Sequence, residues 1–163
     1  MIFVSACLLG HRTKYDGDSN PDDLLIRYNE RGHFIAACPE CSGQLPIPRP
    51  PVELKDGDGH AVLAGQATAR NAENKDFTKY FVNGARQILS TIQAYDIKVA
   101  ILKENSPSCG VHQIYDGTFT KSKTPGIGVC AALLKEHGVR LYSEKDLTPA
   151  LLDKLLAEDK LEN

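Results

Sequence analysis

A chain of 163 residues, 42% apolar and 25% charged, is long enough to bury a sizeable core and too apolar to stay disordered. Its formal net charge of −2 leaves no footprint for nonspecific nucleic-acid binding. No apolar run approaches the roughly 20 residues that span a bilayer, so no membrane association is expected. A single domain over residues 1–163 is the expectation.

Ile2–Leu9 is a continuous apolar, β-rich run closed by Gly10; with no basic leader before it, it reads as the buried first strand of a cytoplasmic protein. Asp22–Arg31 is a helix candidate stopped by Gly32, and His33–Cys38 repeats the strand pattern, giving a β-α-β opening. Ser42–Pro51 carries Pro46, Pro48, Pro50 and Pro51, which remove backbone donors and predict a rigid, extended loop. Asp56-Gly57-Asp58-Gly59 is a turn signal that predicts a small hairpin or flap between Val52–Leu54 and Ala61–Leu63. From Lys75 to Tyr95, Phe77, Phe81, Ala85, Ile88, Leu89 and Ile92 recur at helical spacing, the longest predicted helix. Ile97–Leu102 is another buried-strand candidate, leading into Lys103 and a loop, Ser106-Pro107-Ser108-Cys109-Gly110. A polar stretch follows to Gly128, with a turn at Asp116-Gly117.

Val129–His137 predicts a helix ended by Gly138, and Val139–Tyr142 a short last strand. Thr148–Leu161 predicts a last helix with Thr148 as cap and Pro149 at its first position, and Glu158–Asn163 reads as a frayed end. Strands alternating with helices predict an α/β fold: three α/β/α layers around a mainly parallel sheet, Rossmann-like, plus the small hairpin or flap.

Cys7, Cys38 and Cys109 stand just after predicted strands and far apart in sequence, so only folding brings them together. Along one edge of a parallel sheet, where α/β folds place their sites, they would form a metal or cluster pocket with three protein ligands. Five cysteines without a secretion signal point to reduced thiols, metal ligation or catalysis rather than a disulfide framework. Cys130, on an apolar helix face, reads as a small buried hydrophobe. Cys38-Pro39-Glu40-Cys41 has the spacing of half a zinc site or of a redox pair. No second pair completes a zinc ribbon, and Pro46 and Pro48 follow where a redox motif expects a helix. His11, His33, His60, His112 and His137 show no ligand spacing.

Several motifs occur in one order along nearly the whole chain: Cys7-Leu8-Leu9-Gly10 with Tyr15-Asp16-Gly17, Cys38-Pro39-Glu40, Pro48-Arg49-Pro50-Pro51, Ser106-Pro107-Ser108-Cys109-Gly110 with Ile114-Tyr115-Asp116-Gly117, and Gly126-Ile127-Gly128-Val129. In these the chain resembles the family known as domain of unknown function 523, which includes thiouracil desulfidases. The resemblance implies a 4Fe-4S cluster held by Cys7, Cys38 and Cys109, with the fourth iron not ligated by protein and free to take the sulfur of a thiolated pyrimidine. Cys41 departs from the family pattern and leaves open whether Cys38 or Cys41 closes the triad.

Beside those ligands, Glu40 is a loop carboxylate placed to accept a proton from water, with Asp16 as the second candidate base. Lys103 could hold an anionic pyrimidine or a phosphate, or close a salt bridge at the sheet edge. Ser106 and Ser108 could donate to a substrate carbonyl or to cluster sulfur, or cap the turn. Arg49, among four prolines, reads as an anion clamp or as a solvated loop arginine. The expected activity is a non-redox, iron-sulfur-dependent desulfidase acting on a small thiolated nucleobase or nucleotide such as 2-thiouracil. The alternative is a metal- or cluster-binding module without catalysis.

Overall fold

The structure is a computed structural model that describes residues 1–162. β1 (Ile2–Ser5) runs into a 3-10 turn at Ala6–Leu9, closed by Gly10 at φ 91°. α1 (Asp23–Asn29) starts where the Asp22 carboxylate accepts the Leu25 N–H, and β2 (Phe34–Ala37) leads directly into α2 (Pro39–Ser42), a single turn with Pro39 at its first position. β3 (Val52–Lys55), α3 (Gly59–Leu63) and β4 (Thr68–Asn71) precede the long α4 (Thr78–Ala94). β5 (Val99–Leu102) is followed by the antiparallel pair β6 (Gln113–Tyr115) and β7 (Lys123–Pro125), then α5 (Val129–Glu136), β8 (Arg140–Ser143) and α6 (Pro149–Glu162).

The central sheet has the order β2-β1-β5-β8, and every pair in it is parallel. Alternate side chains of each strand feed opposite layers. Ile2, Val4, Val99 and Ile101 pack with Leu25 and Tyr28 of α1 and Leu152, Leu155 and Leu156 of α6. Phe3, Ala100 and Leu102 pack with Phe81, Ala85, Ile88 and Ile92 of α4 and with Val129–Ala132 and Leu134 of α5. Each large side chain so buried contributes about 1.5–3 kcal/mol, which makes this three-layer core the main source of stability and the platform for the strand ends. α1, which follows β1, covers one face, and α5, which follows β5, covers the other. The topology therefore reverses between β1 and β5, the place where open α/β sheets carry their sites.

The three-layer expectation holds, and the local differences have local causes. Gly59–Leu63 is helical rather than a strand because the Asp58 carboxylate accepts the Ala61 N–H at 3.3 Å, making the acidic turn signal a helix cap. The partner of β3 is β4, in register Val52↔Asn71 to Lys55↔Thr68. The first strand stops at Ser5 and tightens into the 3-10 turn, and the polar stretch before Gly128 contains the β6–β7 hairpin. α6 continues through Glu162 across most of the expected frayed end, whose last residue, Asn163, lies outside the described residues. Among the described residues no helix is long and apolar enough to cross a membrane.

Candidate active site

Cys7 sits in the 3-10 turn after β1, Cys38 at the start of α2 after β2, and Cys109 in the loop after β5. Those three strands are neighbours in the sheet, so all three thiols line one cavity of about 680 Å³ at their carboxyl ends. The cavity is also lined by Glu40, Arg49, Lys103, Ser106 and Ser108 from the sequence candidates, and by Tyr15, Tyr115, Phe119 and Lys121.

The Cys109 loop is fixed by hydrogen bonds. Buried Glu104 receives the N–H groups of Val111, His112 and Gln113 on one carboxylate oxygen at 2.9, 2.8 and 3.1 Å. Burial alone would raise its pKa, but these donors hold it below the ordinary carboxylate range. Ser106 Oγ accepts the N–H groups of Ser108 and Cys109, both at 3.1 Å. Its hydroxyl is 3.0 Å from Ser108 Oγ, whose own proton goes to Glu40 Oε2 at 2.8 Å.

Arg49, also in the cavity lining, is 7% exposed and spends its donors on three segments. Nε donates to Glu40 Oε1 at 3.1 Å, Nη2 to the Thr13 carbonyl at 2.7 Å, and Nη1 to the Pro46 carbonyl at 3.3 Å. Burial disfavours its charge, yet Glu40 and the neighbouring thiols carry its pKa above the ordinary value. Arg49 is thus an anion clamp, and the anion it clamps is Glu40. Glu40 stands between two donors, Arg49 on one oxygen and Ser108 on the other.

Cys7, Cys38 and Cys109 all titrate above the usual thiol range because burial penalises the thiolate, Cys109 reaching about 12. Other groups offset part of that penalty: the Ser5 side chain hydrogen-bonds Cys109, the Asn20 side chain hydrogen-bonds Cys7, and Arg49 Nη2 lies 4.0 Å from Cys38 Sγ. Two buried oxygens without a hydrogen-bond partner, Thr13 Oγ1 and Asn105 Oδ1, also belong to residues of the cavity wall.

The remaining candidates separate cleanly. Lys103 lines the cavity, but its ammonium is already paired with Glu144 at 3.2 Å and donates to the Glu104 carbonyl. Asp16 is exposed and outside the lining; its carboxylate accepts the Asp18 N–H and lies 3.8 Å from Lys14. Cys41 shares with Cys38 the Thr13 carbonyl at 3.8 Å, but only Cys38 lines the cavity. The one-turn α2 immediately after Cys38 supplies the helix that the prolines argued against. Cys130 is wholly buried in the core. No histidine contributes to the wall. Sequence reasoning missed Glu104, Thr13, Phe119 and Lys121, because backbone-mediated roles and loop aromatics leave no periodic signal.

The model of the 2-thiouracil desulfurase family matches residues 2–146. An uncharacterised protein of Bacillus subtilis (strain 168), YbbK, is 40% identical over 151 residues, covering 93% of this chain and all of the relative. Among solved structures, the [4Fe-4S]-dependent thiouracil desulfidase TudS superposes with a TM-score of 0.82 at 38% identity, over 95% of this chain and 97% of that one. The match spans the strand ends and loops that build the cavity, and by it this chain belongs to the 2-thiouracil desulfurase family.

Proposed function

We propose that the protein removes sulfur from a thiolated pyrimidine such as 2-thiouracil, giving uracil and sulfide by hydrolysis with no net redox change. The observation that carries this reading is the convergence on one cavity of three thiols from three adjacent strand ends with a carboxylate held between two donors.

Cys7, Cys38 and Cys109 would hold a 4Fe-4S cluster that keeps one iron free of protein ligands. The donor set fits. It is all thiol, and hydroxyl and guanidinium donors stand near the sulfurs, as is usual around iron-sulfur centres. Among the described residues no three His, Cys, Asp or Glu gather to hold a single ion; a cluster has no need of such a point, since each thiolate binds a different iron. When bound, the cluster supplies a Lewis acid for the thiocarbonyl sulfur.

The protein's own groups supply the rest. Glu40 accepts the proton of the water that attacks the thiocarbonyl carbon, and Arg49 keeps its carboxylate from swinging away from the cavity. Ser108 orients the other carboxylate oxygen and passes the hydrogen-bond chain back to Ser106. Lys103, already paired with Glu144, fixes the sheet edge rather than the substrate. A cytoplasmic setting suits five free cysteines.

The test is turnover of 2-thiouracil by anaerobically prepared, iron-loaded protein in oxygen-18 water without an electron donor. Heavy oxygen at the carbon that lost sulfur, with sulfide released, is the expected outcome. Unlabelled uracil, or a reductant consumed in each turnover, would refute the hydrolytic mechanism.

A further inference from the structure

The loop between β6 and β7 holds its backbone in a costly conformation. Phe119 and Lys121 have φ of 57° and 61°, in the left-handed region that non-glycine residues seldom occupy, and both side chains line the cavity. A loop that needed only this turn would carry Gly or Asn there.

The strained backbone is pinned from the β3–β4 pair. Glu53 of β3 accepts the N–H groups of Gly117 at 2.9 Å and Phe119 at 3.2 Å on one oxygen. Gly117, at φ 88°, lies so close to β3 that a Cβ there would stand 2.7 Å from the Leu54 carbonyl oxygen. Lys55 Nζ lies over the Phe119 ring at 5.9 Å and does not line the cavity, whereas Phe119 does. Much of the remaining wall is polar: Lys103, Glu40, Ser106 and Ser108. A flat apolar ring held rigidly in such a wall suits a planar, partly polar heterocycle, whose face needs an apolar partner while its edge makes hydrogen bonds.

We infer that Phe119 is a substrate-binding residue, the platform on which the pyrimidine ring stacks while its thiocarbonyl faces the cysteines. This deepens the desulfidase reading and rests on it. Stacking of a base on an aromatic side chain is a face contact present equally in substrate and product. Its loss therefore weakens binding without slowing the chemical step.

The test is Phe119→Asn, which tolerates the left-handed turn, beside Phe119→Leu, which keeps apolar bulk, and Phe119→Tyr, which keeps the ring. On iron-loaded protein, KM for 2-thiouracil and Kd for uracil should each rise about tenfold in Phe119→Asn and severalfold in Phe119→Leu, with kcat nearly constant. Phe119→Tyr should restore both. Unchanged KM and Kd in a folded Phe119→Asn or Phe119→Leu protein, or a fall in kcat alone, would overturn the assignment. Parent protein that binds uracil but never converts 2-thiouracil would refute the desulfidase reading instead, and the uracil affinities would still decide for or against Phe119.

Discussion

Gly84→Ala tests whether the placement of α2 governs the site. Gly84 faces the one-turn helix that carries Glu40 and Cys41 and follows Cys38. A Cβ added at Gly84 would overlap the Pro39 carbonyl oxygen and stand 2.9 Å from its carbon and 3.1 Å from the Gly43 nitrogen. These are backbone atoms that no rotamer change can move, so α2 must retreat by on the order of 1 Å to reach ordinary contact distances. Overpacking of this kind costs about 1–3 kcal/mol, against which alanine returns close to 1 kcal/mol of helix propensity. The net loss of up to about 2 kcal/mol lowers Tm by up to roughly 8 °C in a chain of this size.

The effect on turnover should be larger, because displacing a reacting group by about 1 Å can cost about 100-fold in rate. Thermal unfolding, iron content and thiouracil turnover would be measured against Ser90→Ala, an exposed site on the same helix where propensity rises and the hydroxyl's hydrogen bond to the Arg86 carbonyl, 3.1 Å, is lost, with no backbone overlap. The expected signature is a modest loss of Tm with a disproportionate loss of turnover and iron. A Gly84→Ala protein as stable and active as Ser90→Ala would show that α2 moves freely and that the tight seat is irrelevant to the site.

Cys7→Ser, Cys38→Ser and Cys109→Ser should each abolish stable iron and sulfide binding, read by visible absorbance and metal analysis, whereas Cys41→Ser and Cys130→Ser should retain it. Glu40→Gln should keep the cluster and lower kcat by about 10²–10⁴-fold, the usual scale for a general base; parent-like turnover would make Glu40 structural. His112 has a raised pKa through its 2.8 Å contact with Asp146, whose own pKa, despite partial burial, is held low by the Ser143 N–H and by His112. The pair's contribution is therefore present below the unfolded histidine value of about 6.5, is lost as pH rises through the raised folded value, and is lost again as Asp146 protonates in acid. His112→Gln should accordingly destabilise by at most about 0.5 kcal/mol near pH 5.5, the exposed setting being screened, and by nothing measurable at pH 9 in urea unfolding.

The β-α-β opening, the long helix and the placement of Cys7, Cys38 and Cys109 after strands were legible because apolar runs and helical spacing are imposed by the core. Gly59–Leu63 was not, since Asp-Gly repeats serve equally as a hairpin turn and as a helix cap, and only the Asp58 contact to Ala61 decides. Glu40 was visible beside a cysteine, but its two partners come from nine residues ahead and from 68 residues away, distances that no local pattern encodes. Phe119 was invisible for a related reason: its loop follows neither period, being held by Glu53 from β3.

The Arg49–Glu40 pair shows how the proline-rich loop enters the chemistry. A buried ion pair is weak evidence for stability, since removing both charges from water costs about as much as their attraction returns. Arg49 also bonds to the Thr13 and Pro46 carbonyls, and so ties together the loop after β1, the proline segment and α2. With all three sets of donors committed, the guanidinium has no freedom to follow Glu40, so the carboxylate must stay where Ser108 also meets it. The prolines keep the Arg49 backbone from relaxing outward, which converts a loop carboxylate into one with a fixed direction. That constraint, rather than any gain in folding energy, accounts for a buried arginine in a loop that contributes only Leu45 to the apolar core.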